Sequence, residues 1–181
     1  MADFLKRTWA EIRLSAVEHN YRLVRERLSP DCRVMAVVKA DAYGHGDLQV
    51  ATTLQHAGAD WFAVSNLDEA IRLREGGITR PILILSYTPP EQAARLVQYG
   101  ITQSLVDNHY AARLNEQAAT AGVTVDCHVK LDTGMSRVGF FYHDERTDCT
   151  ALDEIAAACA LPHLSVGGIF THFAMADEPN G

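Results

Sequence analysis

Three observations predict an α/β fold with a parallel sheet covered by helices. Short apolar runs of strand length begin near residues 34, 61, 82, 101, 123 and 164. Helical stripes with recognisable capping and stopping residues separate these runs, and no linker-like tract divides the chain. Strands that are apolar throughout, alternating with helices at roughly twenty-residue intervals, belong to sheets buried on both faces. The spacing is typical of a (β/α)8 TIM-type barrel, and about six β/α units are fewer than closure needs, so the expectation is an incomplete barrel.

Taken in order, Thr8 to Leu14 alternates Trp9, Glu11 and Arg13 with Ala10, Ile12 and Leu14, which reads as a strand, and residues 1–14 are set apart as an N-terminal strand segment. From residue 15 onward the chain reads as the partial barrel. Ser15 and Glu18 have capping-box spacing, and Val17, Tyr21, Val24 and Leu28 follow a helical stripe up to Pro30. Val34 to Val38 is the first barrel strand. Leu48, Ala51 and Leu54 continue as a helix that Gly58 can end in a left-handed conformation.

The same grammar then repeats. Trp61 to Val64 is a strand, Ser65-Asn-Leu-Asp68 opens a helix, and Gly76-Gly77 closes it. Ile82 to Leu85 is a strand, and Thr88-Pro-Pro-Glu91 combines a cap, a first-turn proline and a capping glutamate for a helix running to about Gly100. Ile101 to Val106 is a strand, Asn108 to Ala121 a helix ended by Gly122, and Val123 to Leu131 a longer alternating strand. Thr150 to Asp153 caps a further helix, and Leu164 to Phe170 is the last strand. The chain ends in loop-like sequence, so a truncated chain is the expectation.

Composition limits the function classes. A chain of 181 residues that is 48% hydrophobic can bury a sizeable core. A net charge of −7, with no Lys/Arg cluster, argues against a nucleic-acid partner. Cys32, Cys127, Cys149 and Cys159 form no C-x-x-C pair, which fits reduced cysteines in the cytoplasm. Met1 to Lys6 lacks an apolar signal region and no uncharged run is long enough to span a bilayer, so neither secretion nor a membrane anchor is expected.

Chemistry collects at two places. Directly after Val34–Val38 come Lys39, Asp41, Tyr43, His45 and two glycines, a polar mouth on a buried strand. A lysine there can be desolvated enough to act as a nucleophile toward a carbonyl compound, and glycines let backbone approach a bound group. The second place is the one long interval between strands, which holds Lys130-Leu-Asp-Thr-Gly-Met-Ser-Arg-Val-Gly139. On the strand leading in, Val125, Cys127 and Val129 share one face and Asp126, His128 and Lys130 the other, so Lys130 turns inward near the strand's end. In a barrel, Lys39, Lys130, Arg137 and His172 would all reach the C-terminal face, where barrel enzymes keep their sites. Read singly, Lys130 and Arg137 are surface charges that could pair with Asp132 or Asp144, His172 is a structural histidine, and Asp132-Thr-Gly134 is a turn.

Three blocks together carry more. Lys-Ala-Asp-Ala-Tyr-Gly-His-Gly at 39–46 resembles the pyridoxal-phosphate attachment motif of alanine racemases, and the blocks 130–139 and Thr-His-Phe-Ala-Met-Ala-Asp-Glu at 171–178 resemble two further parts of that family in the expected order. The resemblance covers the amino-terminal part of such enzymes, which are isomerases of fold type III supplying D-alanine as a cell-wall precursor. It implies pyridoxal 5'-phosphate bound as a Schiff base on Lys39, with Tyr43 on its phosphate, Arg137 on its phenolic oxygen and His172 against its ring. It also implies that Lys130 can be carbamylated, that L- and D-alanine interconvert by two-base α-proton transfer, and that the complete protein is a homodimer. The opposing base would be a tyrosine of a carboxyl-terminal β-domain of the second subunit, absent from this chain, so the segment alone is expected not to racemise alanine. No metal is implied. A serine racemase, a non-enzymatic pyridoxal-phosphate carrier and a cofactor-free phosphate-sugar barrel are the competing readings.

Overall fold

The computed structural model describes residues 8–144 and 148–178. Its elements run α1 (Leu14–Glu26), β1 (Met35–Val37), α2 (Lys39–Gly44), α3 (Asp47–Ala57), β2 (Trp61–Val64), α4 (Leu67–Glu75) and β3 (Ile82–Ile84). A 3-10 turn (Pro90–Gln92) leads into α5 (Ala93–Gln98), then β4 (Ile101–Leu105), α6 (Asn108–Ala121), β5 (Val125–Asp132), β6 (Phe140–Phe141), α7 (Cys149–Cys159) and β7 (Leu164–Phe170). The strands form one seven-stranded sheet in the order β1-β2-β3-β4-β5, with β6 and β7 both pairing to β5. Each pairing is parallel. Among the described residues nothing joins β1 to β7, so the sheet is the expected unclosed barrel.

The sheet is strongly curled. Trp61 on β2 and His128 on β5 have ring centroids 5.2 Å apart although β3 and β4 lie between them. A flat sheet would separate them by about 14 Å, three inter-strand steps. Room for the His128 ring comes from Gly168, where a Cβ would stand 2.8 Å from it. The β5–β7 register shifts between Cys127 and His128, so that Phe170 comes to lie opposite Lys130.

The opposite strand parity builds the core. Phe62, Val64, Ile82, Ile84, Ile101, Leu105, Val125, Cys127 and Val129 are buried against Leu54, Leu73, Leu96, Leu114 and Ala118 of the helices. Helix ends follow local chemistry: the Glu69 N–H donates to Asn66 Oδ1 at 3.0 Å, and the Tyr110 N–H donates to Asp107 Oδ1 at 2.7 Å. Gly58 and Gly122 close α3 and α6 in the left-handed conformation.

Four sequence expectations are corrected. Residues 8–13 form no strand, because no neighbouring strand pairs with them and Trp9 is 74% exposed; residues 1–7 of that segment lie outside the described residues. The Arg13 carbonyl accepts from the Ala16 and Val17 N–H groups, so α1 starts before Ser15 and its capping box does not form. Thr88 is buried rather than capping, and its carbonyl accepts from the Tyr110 hydroxyl at 2.9 Å. The last helix starts at Cys149 after Asp148, whose carboxylate accepts from the His143 and Asp144 N–H groups. The two-residue strand β6, inside the long interval, was not anticipated.

Ile84→Ala, at a fully buried position, is expected to lower unfolding stability by about 2–5 kcal/mol in urea titrations. Trp9→Ala is expected to stay within about 0.5 kcal/mol.

Candidate active site

The first site segment begins where β1 ends. The Val38 N–H donates to the Ala63 carbonyl at 2.9 Å, carrying the parallel ladder one residue further before the chain turns. Ala40, Asp41, Ala42 and Tyr43 then take φ of 50 to 57° and ψ of 36 to 51°, a left-handed helical turn of four non-glycine residues. Each such residue costs about 1–2 kcal/mol relative to the right-handed form, so tertiary contacts must hold the turn. The Ala42 N–H donates to Val38 O, and the Gly46 N–H to Asp41 O, both at 2.9 Å. The Asp47 N–H donates to Asp41 Oδ1 at 2.9 Å, and the buried Asp47 carboxylate is ion-paired with Arg72. The turn leaves Lys39 half-buried and Tyr43 exposed, both lining one cavity.

The second segment begins at the end of β5. Asp132 gathers the turn after it: its carboxylate accepts from the N–H groups of Ser136 at 2.9 Å, Gly134 at 3.1 Å and Arg137 at 2.8 Å. The Ser136 amide foremost, with those of Gly134 and Arg137 and the His143 ring, holds the Asp132 carboxyl down at about 2 against the opposing effect of desolvation. The turn then folds back so tightly that a Cβ on Gly139 would lie 2.7 Å from the Lys130 carbonyl oxygen and 2.8 Å from the Asp132 nitrogen. Its φ of 126° is also one that L side chains rarely adopt.

Lys130 is 5% exposed, donates from Nζ to Leu131 O at 2.7 Å and stands 5.3 Å from the Phe170 ring centroid. Burial pushes its ammonium pKa below the ordinary lysine value; Asp132 opposes that and Arg137 adds to it. Thr171 donates to the Leu131 carbonyl at 3.1 Å, tying the end of β7 to the end of β5. His172 follows, exposed, with Nδ1 2.7 Å from the Phe173 carbonyl; a carbonyl only accepts, so Nδ1 carries the proton.

All five residues singled out in the sequence, Lys39, Tyr43, Lys130, Arg137 and His172, line one cavity of about 640 Å³ at the carboxyl ends of the strands. That volume lies in the range of roughly 300–1,000 Å³ usual for small-molecule sites. Met35, Leu85, Val138 and Phe170 give it apolar walls, and Ser65, Ser86 and Tyr87 complete the rim. In the sequence Leu85 read only as the end of a strand, and Ser86 and Tyr87 carried no reading. Their one signal was position, since they follow β3 as Lys39 follows β1. Among the described residues no cluster of metal-ligating side chains occurs. No helix among them is long and apolar enough to cross a membrane.

An amine, a phenol, a guanidinium and an imidazole around an apolar slot suit a flat, anionic, aldehyde-bearing cofactor. The amine can bond a carbonyl carbon, the guanidinium can face a ring oxygen, and the hydroxyl can donate to phosphate. An open α/β barrel with a lysine-centred cavity on the C-terminal rim is therefore the class that fold and site define.

Residues 12–181 match the family described as alanine racemase, N-terminal domain, and the chain belongs to that family. It is 42% identical over 174 residues to the alanine racemase of Carboxydothermus hydrogenoformans, covering 96% of this chain and 45% of that protein. It is 44% identical over 172 residues to the amino-acid racemase of Enterococcus faecalis, covering 95% and 23%. The solved alanine racemase of Clostridium difficile 630 in complex with cycloserine superposes with a TM-score of 0.86 at 39% identity, covering 97% of this chain and 47% of that one. The chain thus spans less than half the length of these relatives.

Asp132→Asn should lower the melting temperature at neutral pH. Because the carboxyl is held low in the folded chain, its stabilisation is present above about pH 4, the unfolded value, and is lost as pH falls toward about 2. Wild type and variant melting curves recorded from pH 6 to pH 2 are therefore expected to converge at the acid end. Gly139→Ala is expected to lower stability by more than about 2 kcal/mol in urea titrations, since a backbone clash is added to an unfavourable φ.

Proposed function

We propose that this chain is the cofactor-binding part of an amino-acid racemase acting on alanine, with pyridoxal 5'-phosphate attached at Lys39. The observation that carries the reading is the convergence of Lys39, Tyr43, Lys130, Arg137 and His172, from three separate stretches of the chain, on one cavity with apolar walls. The cofactor supplies an electron sink conjugated to the substrate's α-carbon. This chain's own residues would hold and orient it and serve one of the two proton transfers.

Tyr43, exposed at the rim, would hold the phosphate by donating its hydroxyl. Arg137, its backbone anchored through Asp132, would hold the ring's phenolic oxygen. The His172 ring, which lines the cavity, would help hold the pyridine ring. With the cofactor bound, Lys39 Nζ would accept or return a proton at the substrate's α-carbon on one face. Interconversion of the enantiomers requires a second proton carrier on the other face, and a partner protomer in a homodimer provides it. The protein works in the cytoplasm.

Lys130 has a role consistent with its burial. Its lowered ammonium pKa eases loss of one proton from Nζ; the amine then attacks the carbon of carbon dioxide, an N–C bond forms and a second proton leaves, so that a cation becomes a carbamate anion beside the Arg137 guanidinium. That exchange replaces a like-charge neighbour of Arg137 by an opposite charge and holds the guanidinium toward the cofactor.

Borohydride reduction of the full-length protein that carries this chain, after loading with pyridoxal phosphate, is expected to fix the pyridoxyl group on Lys39, and a parallel unreduced sample is expected to interconvert the alanine enantiomers. Labelling of another lysine overturns the site, and labelling without interconversion of either enantiomer favours a carrier. Equilibration with carbon-13 bicarbonate is expected to produce a carbamate carbon signal that Lys130→Ala abolishes. A spectrum unchanged by that substitution rules out the modification.

A further inference from the structure

The left-handed turn after Lys39 is held at its first residue by a side chain from a different β/α unit. The Ala40 N–H donates to Glu69 Oε1 at 2.9 Å, and the Ser65 N–H donates to Glu69 Oε2 at 2.6 Å. One half-buried carboxylate therefore spans the loops that follow β1 and β2. Glu69 is itself placed by the start of α4, where its N–H donates to Asn66 Oδ1.

The Ala40 N–H belongs to the peptide joining Lys39 to Ala40. Passing from a strand into a left-handed turn means rotating that peptide plane, so the direction of this N–H decides which turn forms. We infer that Glu69 is a positioning residue: by fixing the Lys39–Ala40 peptide it imposes the left-handed turn that presents Lys39 and Tyr43 to the same cavity. The inference rests on the proposed role of Lys39 as the attachment point.

The chemistry of the acceptor explains why a carboxylate stands here. Two N–H groups converge on it from different loops, and a carboxylate offers one oxygen to each. Glutamine has one acceptor oxygen, and its amide group would turn a donor toward a donor. Alanine leaves both N–H groups without this partner, and aspartate is a methylene too short to reach both.

The test separates Glu69 from general stability. In the cofactor-free chain, Glu69→Ala is expected to speed hydrogen exchange of the Ala40 amide by about tenfold or more, the loss expected for a hydrogen bond to a charged acceptor. Limiting pyridoxal phosphate followed by borohydride should then place about tenfold less label on Lys39 than in wild type. Glu69→Gln, the milder change that keeps the fold, is expected to fall between the two in both measurements. Leu114→Ala opens the core beneath α6 and should lower the melting temperature while leaving Ala40 exchange and Lys39 labelling near wild type. Wild-type labelling in both Glu69 variants, or an equal loss of labelling in Leu114→Ala, overturns the inference. Absence of Lys39 label in wild type instead overturns the attachment reading and this role with it, while the exchange data still report whether Glu69 holds the turn.

Discussion

Everything in this molecule depends on the parallel ladder that joins β1 through β5 and then β7. Parallel strands all end on the same side, and each must be followed by a connection that climbs back over the sheet. The residues just past β1, β2, β3, β5 and β7 therefore share one rim, whatever their separation in the chain. Curling brings those strand ends together: Trp61 and His128 meet across two intervening strands, and the cavity lies at the far end of the same trough. Lys39 and His172 come to line one cavity through this geometry.

Two loops at that rim have unusual backbones, and both are held in the same way. After β5, the Asp132 carboxylate collects three N–H groups of one turn and so presents Arg137. After β1, the Glu69 carboxylate takes one N–H from the left-handed turn and one from the next loop. Carboxylates suit this task because each offers two oxygens to N–H groups that the strand ladder has left unpaired. Rigid strands bring the site residues near one another, and these acidic side chains orient the loops that carry them.

Elements with a strong local signal were legible in the sequence. Trp61 to Val64, Asn108 to Ala121 and Leu164 to Phe170 form over the residues expected, since apolar runs and stop residues report burial and helix ends directly. The inward placement of Lys130 followed from strand alternation. The failures share a cause. Thr8–Leu14 has the alternation of a strand but no neighbour to pair with, Ser15 has the spacing of a cap but a helix that starts earlier, and Thr88 is buried beneath Tyr110. Local pattern describes what a segment can do, while the surrounding packing selects among those options.

By itself the sequence determined the α/β class, the order of the strands, and five residues suited to one kind of chemistry, because periodicity, capping and motif are properties of neighbouring residues. Only the tertiary structure decided that those five share a cavity, that Ala40 to Tyr43 turn left-handed, and that Glu69 reaches across to hold them. These depend on contacts between segments some thirty to over a hundred residues apart. No local pattern encodes such a contact, because it exists only once the sheet has curled and brought the strand ends to one rim.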